Sequence, residues 1–495
     1  MSEVRTLSSE EVAALKSVSP FTGRYQWVSV ALEEYFGEGV GLQRHRLRVM
    51  VSWLRYILSH PSIFIDSSIL ERYKRSGHSP WAFDDAIDFL SKLVNTADND
   101  PLPMAIRIKE IEKECNHDVK AVEIYIAEKL TDAGFGDLCS YIHLGCTSED
   151  VTNIAYACSI KNAINEVLLS SEGRFAGVMA ELSRMIEEYA DVPMLSLTHG
   201  QPATPTTFGK MLSTYYAQLA RCRDGIDVIR PSVKFGGATG NLAALVATYP
   251  ECRWSQIAED FVNSEYGAFD YNKFCDQIET HDWVARLMNE LKILIDVLRA
   301  LDQDMWQYIS RGILGQKVIA KEVGSSTMPN KVNPINFENS EGLAKLSTGM
   351  FNSMVDGLLL SRMQRDLSDS VMQRFVGELF GFVLLALDST LKGLRKIVVN
   401  ETRMREELDA HPEVLAEAIQ TKLRSRGVPN AYNRLKELTR GQMVTLEMLR
   451  DFIRSQSDLS DNDKTVLLAL RPSNYIGESE SIALEVLEKY RPIFY

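Results

Sequence analysis

The chain is poor in the features that mark several classes of protein. It has seven cysteines in 495 residues, all between Cys115 and Cys275, and no Cys-x-x-Cys pair. An odd, unpatterned set of thiols argues against a disulfide scaffold and suits a reducing compartment, so a cytoplasmic protein is expected. Histidine is scarce too, eight in all, and no His/Cys grouping has zinc-ligand spacing, so no metal is expected. Positive charge is in deficit. The net charge of −13 makes nonspecific binding to nucleic acid or to an acidic membrane surface an unlikely role, and neither partner is expected. No run of about 18 uncharged apolar residues occurs, so no membrane-spanning helix is expected. The opening Met-Ser-Glu-Val-Arg-Thr holds no apolar signal region, and the closing Arg-Pro-Ile-Phe-Tyr matches no lipidation or retention signal. Alternating β-branched runs are sparse, and no Asn-Gly or Asp-Gly turn sits between two of them, which leaves a mainly α fold. There is no internal repeat and no low-complexity tract.

What is present is helical periodicity. Leu287, Leu291, Leu294, Leu298 and Leu301 recur at spacings of 4, 3, 4 and 3, Met305 and Tyr308 extend the seam, and Gly and Pro are absent from Gln277 to Arg311. That spacing predicts a long helix in a bundle with shallow crossing angles. Residues 155–190, 206–229, 340–360 and 371–399 are further long-helix candidates, the last weakened by Gly377, Gly381 and Gly393. Three zones follow: an N-terminal helical domain over 1–140, a central long-helix domain over 141–394 and a C-terminal helical domain over 395–495.

Polar residues collect in the breaks between these segments. They form Asn116-His117-Asp118, Thr147-Ser148-Glu149-Asp150, Thr198-His199-Gly200-Gln201-Pro202 and Gln277-Ile278-Glu279-Thr280-His281-Asp282. Thr147–Asp150 also reads as a helix N-cap followed by acids, and His281-Asp282 as a supporting pair or a solvated face. A histidine in the Thr198–Pro205 turn is a natural acid or base near neutral pH. Arg24-Tyr25 and the segment from Ser361 to Arg374 add cations suited to carboxylate or phosphate. Phe235-Gly236-Gly237-Ala238-Thr239-Gly240 lacks P-loop and dinucleotide spacing and reads as a close-approach turn. Most informative is Gly324-Ser325-Ser326-Thr327-Met328-Pro329-Asn330-Lys331-Val332-Asn333-Pro334. It joins two hydroxyls, a cation and an amide without apolar periodicity, as a loop closing over an anionic substrate would. A plain surface connection has the same local composition.

Gly324-Ser325-x-x-Met328-x-x-Lys331-x-Asn333 matches the signature loop of the fumarase/aspartase superfamily at every fixed position. The Asn116–Glu123, Thr147–Asp150, Thr198–Pro205, Phe337–Gly342 and Arg365–Ser370 segments resemble the adenylosuccinate lyase family, in its longer bacterial-type branch. The resemblance runs from about residue 18 onward. The chain departs from many relatives at Asn330, where they carry His, and at Met363, where they often carry Trp. The resemblance implies an all-α, three-domain fold with a central long-helix bundle, a homotetramer with active sites shared between subunits, and no cofactor. It implies β-elimination of fumarate from adenylosuccinate and from the succinylated aminoimidazole-carboxamide ribotide in purine synthesis. Two alternatives are a lyase of the superfamily that acts on argininosuccinate or releases ammonia or water, and a structural superfamily member. The arginines count against the first, and the intact Ser325, Lys331, Asn333 and His199 set against the second.

The same resemblance implies that Ser325 is the general base and His199 the general acid. The substrate-binding residues it implies are Arg24, Tyr25, Asn116, His117, Asp118, Thr147, Ser148, Gln277, Ser326, Lys331, Val332, Asn333, Asn339, Arg365, Ser370, Val371, Met372, Gln373 and Arg374. Charge matching divides them. Thr147, Ser148, Gln277, Lys331 and Asn333 suit the dicarboxylate, while Arg24-Tyr25, Asn339, Arg365, Ser370 and Arg374 suit the nucleotide end. Asn116, His117 and Asp118 are expected to border the ribose-phosphate and to support His199.

Overall fold

The computed structural model describes residues 8–75, 83–317, 328, 331–439 and 444–491. The elements that carry the argument are, in chain order, α1 Gln26–Phe36, α2 Arg44–Ser59, α3 Leu102–Cys115, α4 Asp118–Asp132, α5 Ser148–Ala163, α6 Arg174–Glu188, β1 Pro193–Thr198, β2 Gln201–Thr207, α7 Phe208–Asp227, α8 Asp282–Arg311, α9 Ile335–Leu358, α10 Ser368–Gln373 and α11 Val376–Lys396. Shorter helices follow from Glu401 onward. The fold is all-α apart from three two-stranded ribbons among the described residues.

The predicted long helix is α8, and its seam is buried from Leu287 to Met305. Leu287, Leu291, Leu294, Leu298, Leu301 and Met305 all have 0% exposure. Truncating any one of them to Ala costs about 2–5 kcal/mol at such sites. Two of the other expected helices are interrupted. Over 155–190, α5 runs into a widened turn at Ile164–Leu168 and the chain leaves the helix before α6. Adjacent Ser170 and Ser171, then Gly173 at the N-cap of α6, favour exit over continuation. Over 371–399 the helix breaks between α10 and α11, and Ile397–Val399 leave it as a strand paired with Leu314–Gln316. The stretch 368–396 contains an 18-residue window apolar enough to cross a bilayer, yet 61% of that window is buried inside the protein. It is a core helix.

The segment Thr198–Pro205, expected as a turn between helices, belongs to a β-hairpin instead. Thr198 pairs with Gln201, and the two-residue turn is His199-Gly200. Both turn residues have positive φ, 54° and 72°. That is what the tight turns matching strand twist demand, and His tolerates the left-handed region better than most residues.

Two compact units divide the chain. One comprises 1–170, 224–293 and 345–385, and the other 171–223, 294–344 and 386–495. In the first, α2 packs against α4 and α5, and α3 pairs with α4. Trp53, Phe64, Phe235 and Phe261 form an aromatic cluster there, with Trp53–Phe235 centroids 4.6 Å apart. In the second, Leu195 of β1 is buried with Leu408 and Val414, and a separate core holds Leu415, Ile419, Leu423, Leu449 and Ile453.

Candidate active site

The first unit gathers most of the expected substrate-binding residues. Asn116, in the left-handed conformation at φ 51°, ends α3, and His117 caps α4 by accepting the Lys120 N–H at Nδ1, 3.2 Å away. A neutral His117 ring therefore carries its proton on Nε2. Asp118 pairs with buried Arg46 at 2.8 Å. Burial raises the Asp118 carboxyl, but the Arg46 charge and hydrogen bond outweigh it, so its pKa is lowered. Arg46, Asp118, Tyr156, Gln373 and Arg374 line one cavity of about 370 Å³. Arg24 and Tyr25 lie in the turn before α1, on a second hollow of about 800 Å³ that Leu15 and Pro20 also line.

Thr147 is the N-cap of α5, and its N–H donates to the Asp150 carboxylate at 2.7 Å. Asp150 has 0% exposure and is held from four sides. Its other contacts are the Gly236 N–H (2.8 Å), the Gly237 N–H (3.1 Å) and the Lys234 ammonium (2.8 Å). Asn153 ties the Lys234 segment to α5 by accepting the Lys234 N–H and donating to the Lys234 carbonyl. The glycine cluster is thus a cradle for a carboxylate of the chain itself, which agrees with its reading as a close-approach turn. Gly240 completes it at φ 72°, where a Cβ would collide with the Cys275 carbonyl.

Beside this lies a buried polar cluster. Arg365 Nη1 donates to Gln277 Oε1 at 3.2 Å and to Glu149 Oε2 at 3.4 Å, and Gln277 donates to the Ala238 carbonyl. His281 Nε2 stands 3.3 Å from Asp369 Oδ2 and 3.2 Å from the Gln373 amide. Burial pushes Glu149 up to about 7 against the pull of His281 and Arg365. Burial lowers His281, but the Asp369 hydrogen bond and the charges of Glu149, Glu279 and Asp369 prevail and raise it. One side-chain polar atom from each of Glu149, His281 and Asp369 lies within 4.8 Å of the other two. Arg365 and Gln373 supply donors to the same cluster.

The remaining residues are placed as follows. Ser370, Val371 and Met372 lie on α10 with Gln373, Val371 is exposed, and Met372 faces a separate apolar groove with Leu346 and Phe375. In the second unit, His199 is exposed at the hairpin tip. Lys331 and Val332 are exposed and Asn333 half-buried ahead of α9, with the Lys331 N–H on the Met328 carbonyl and the Val332 carbonyl accepting from Gln316. Asn339 donates to Ser389 Oγ at 2.7 Å. Ser325, Ser326 and Asn330 lie outside the described residues. Sequence reasoning had flagged the segments holding Glu149, Asp150, His281 and Asp369 but assigned these four no part in the site. Nothing in the sequence signalled Lys234, a lone cation beside a glycine run.

Residues 82–347 match the family model described as "Lyase", and residues 361–476 match that described as "Adenylosuccinate lyase C-terminal". The chain is 41% identical to the adenylosuccinate lyase of Legionella pneumophila (strain Corby) over 467 residues, 94% of this chain and 97% of that one. It is 39% identical to the adenylosuccinate lyase of Escherichia coli (strain K12) over 477 residues, 96% of this chain and 100% of that one. Its fold is similar to a 3-carboxy-cis,cis-muconate lactonizing enzyme from Pseudomonas putida, with TM-score 0.68 at 19% identity and coverage of 94% and 98% of the two chains. It is also similar to a fumarate lyase from Mesorhizobium sp. BNC1, with TM-score 0.67 at 20% identity and coverage of 92% and 97%. By sequence along nearly its whole length and by fold, the chain belongs to the adenylosuccinate lyase family of the fumarase/aspartase superfamily.

Proposed function

We propose that the protein catalyses β-elimination of fumarate from adenylosuccinate, giving AMP, and from the succinylated aminoimidazole-carboxamide ribotide, giving its carboxamide. The observation that carries this reading is the 41% identity to an adenylosuccinate lyase across 94% of the chain. The site geometry supports it. A substrate with two carboxylates and a phosphate needs cations, and this acidic chain concentrates Arg46, Arg365 and Arg374 around Asp118, Gln277 and Gln373.

The chemistry removes a weakly acidic proton beside a carboxylate, and the carbanion is held as a dianionic aci-carboxylate by cations and N–H donors. Ser325 takes that proton and His199 delivers one to the departing nitrogen. Lys331, Asn333, Thr147, Ser148 and Gln277 orient the dicarboxylate. Arg24, Tyr25, Asn339, Arg365, Ser370 and Arg374 hold the nucleotide end, while Asn116, His117 and Asp118 border the ribose. Ser326, Val332, Val371, Met372 and Gln373 flank these groups.

We place the enzyme in the cytoplasm, which its seven free thiols favour. It acts as a homotetramer whose sites draw on more than one subunit. Two features support that assembly. His199 is exposed at a hairpin tip, and Leu346 (61%) and Phe375 (44%) leave apolar area in water around one groove. The test follows fumarate release by absorbance. Ser325→Ala and His199→Ala each abolish turnover, and a mixture of the two after verified subunit exchange regains part of it. Near-normal turnover by Ser325→Ala refutes the base, and no recovery in the mixture refutes shared sites.

A further inference from the structure

His281 is held where a histidine is costly. It is 3% exposed, it adopts φ 56° just before α8 begins, and its N–H donates to Glu279 Oε2 at 2.7 Å. A buried non-glycine residue in the left-handed region persists only where its surroundings fix it. Three acidic groups surround the ring. Asp369 Oδ2 is 3.3 Å from Nε2, Glu279 Oε2 is 3.9 Å from Nδ1, and Glu149 lies within the same 4.8 Å cluster. Two of these carboxylates are short of donors, since Glu149 Oε1 and Asp369 Oδ1 are buried without a hydrogen-bond partner. Their charge is balanced chiefly by His281 and Arg365.

The elements joined here are the ones that present substrate-binding groups. Glu149 follows Thr147-Ser148 on α5 and accepts from Arg365. Asp369 and Gln373 both meet the imidazole and sit on α10, which carries Ser370 and leads to Arg374. We propose that His281 is a positioning residue for substrate binding, a buried cation between Glu149 and Asp369 that fixes the Arg365–Gln277 pair and the α10 helix. The proposal rests on the reading of Arg365 as a substrate cation. Without the imidazolium, Glu149 and Asp369 face one another across a dry space with one counter-charge fewer, so Glu149 either turns further to Arg365 or takes up a proton, and the Arg365–Gln277 geometry changes in both cases. The charged and titratable groups facing the ring are Glu279 on its own segment, Glu149 and Tyr156 from α5, Asp369 from α10 and, through Glu149, Arg365 and Lys234. Against the lowering by burial, the Asp369 hydrogen bond and the charges of Glu149, Glu279 and Asp369 raise the pKa of the imidazole and favour its charged form.

The experiment measures KM and kcat with adenylosuccinate across pH for the full-length enzyme and for His281→Gln, Arg365→Gln and the double variant. His281→Gln should raise KM about tenfold, the scale of one misplaced charge-assisted hydrogen bond, with kcat changed less than about threefold. Wild-type KM should climb as pH rises through the imidazolium pKa, and His281→Gln should lose that climb. The double variant should bind no worse than Arg365→Gln alone, because the two act on one interaction. A raised KM in Arg365→Gln beside unchanged KM and pH dependence in His281→Gln overturns the proposal alone. A normal KM in Arg365→Gln overturns the reading of Arg365 and the proposal with it. Should His281→Gln fail to fold, Asp369→Asn tests the same link. Removing the acceptor should move the alkaline climb in KM to lower pH, and an unmoved profile overturns the proposal.

Discussion

Replacing Lys234 by Met tests whether the charged cradle around Asp150 holds the start of α5. Both partners of the ion pair have 0% side-chain exposure at 2.8 Å. Met keeps most of the apolar stem and deletes the charge. The Asp150 carboxylate then retains three backbone N–H donors, from Thr147, Gly236 and Gly237, but loses its counter-charge. Breaking one side of a buried pair costs about 3–5 kcal/mol. The three remaining donors keep the expected loss near the lower end, about 3 kcal/mol. With a urea m-value of about 3 kcal/mol/M, plausible for so long a chain, the midpoint should fall by about 1 M. Circular dichroism against urea at neutral pH reads this. Lys234→Met combined with Asp150→Asn should recover part of the loss, because the orphaned charge is gone. A Lys234→Met midpoint within about 0.2 M of wild type would refute the reasoning, as would a double variant less stable than the sum of the singles.

Two further outcomes follow from buried groups. Asp302 is raised to about 8 by burial, against hydrogen bonds from Ser340 and Thr390. Between about pH 4 and 8 the unfolded chain releases this proton while the folded chain keeps it, so stability falls with rising pH by at most about 1.4 kcal/mol per unit and levels off above 8. Asp302→Asn should remove that slope, and parallel urea-midpoint profiles for the two proteins would contradict it. Gly240→Ala places a Cβ against the Cys275 carbonyl at φ 72° and should cost more than the ~1–2 kcal/mol of the left-handed backbone alone. A urea midpoint equal to wild type would show that the turn relaxes freely.

The helices were legible because burial leaves a period in the sequence. The Leu287–Met305 seam is both the clearest pattern in the chain and a stripe with 0% exposure throughout. The interruptions after α5 and before α11 were not, since the polar stretch at each is only a few residues long, Ser170–Arg174 and Gln373-Arg374, with apolar periodicity on both sides. The hairpin escaped for a related reason. Its strands, Pro193–Thr198 and Gln201–Thr207, carry three prolines, only the short Leu195–Thr198 stretch alternates, and His-Gly stands where Asn-Gly would have announced the turn. The same geometry gives that unusual turn residue a reason. A side chain offered at the tip of a two-residue turn projects from backbone whose φ values are fixed by strand pairing on both sides, so its root is rigid while its ring stays accessible. Asn or Asp at position 199 would satisfy the turn better but would lack an imidazole. If His199 is the acid we propose, His at this turn trades turn propensity for proton transfer, as expected where local rules give way to function. The buried cluster escaped for the opposite reason. Glu149, His281 and Asp369 each sit in a segment that stands out by itself, and their meaning lies in charges that only the fold brings within 4.8 Å.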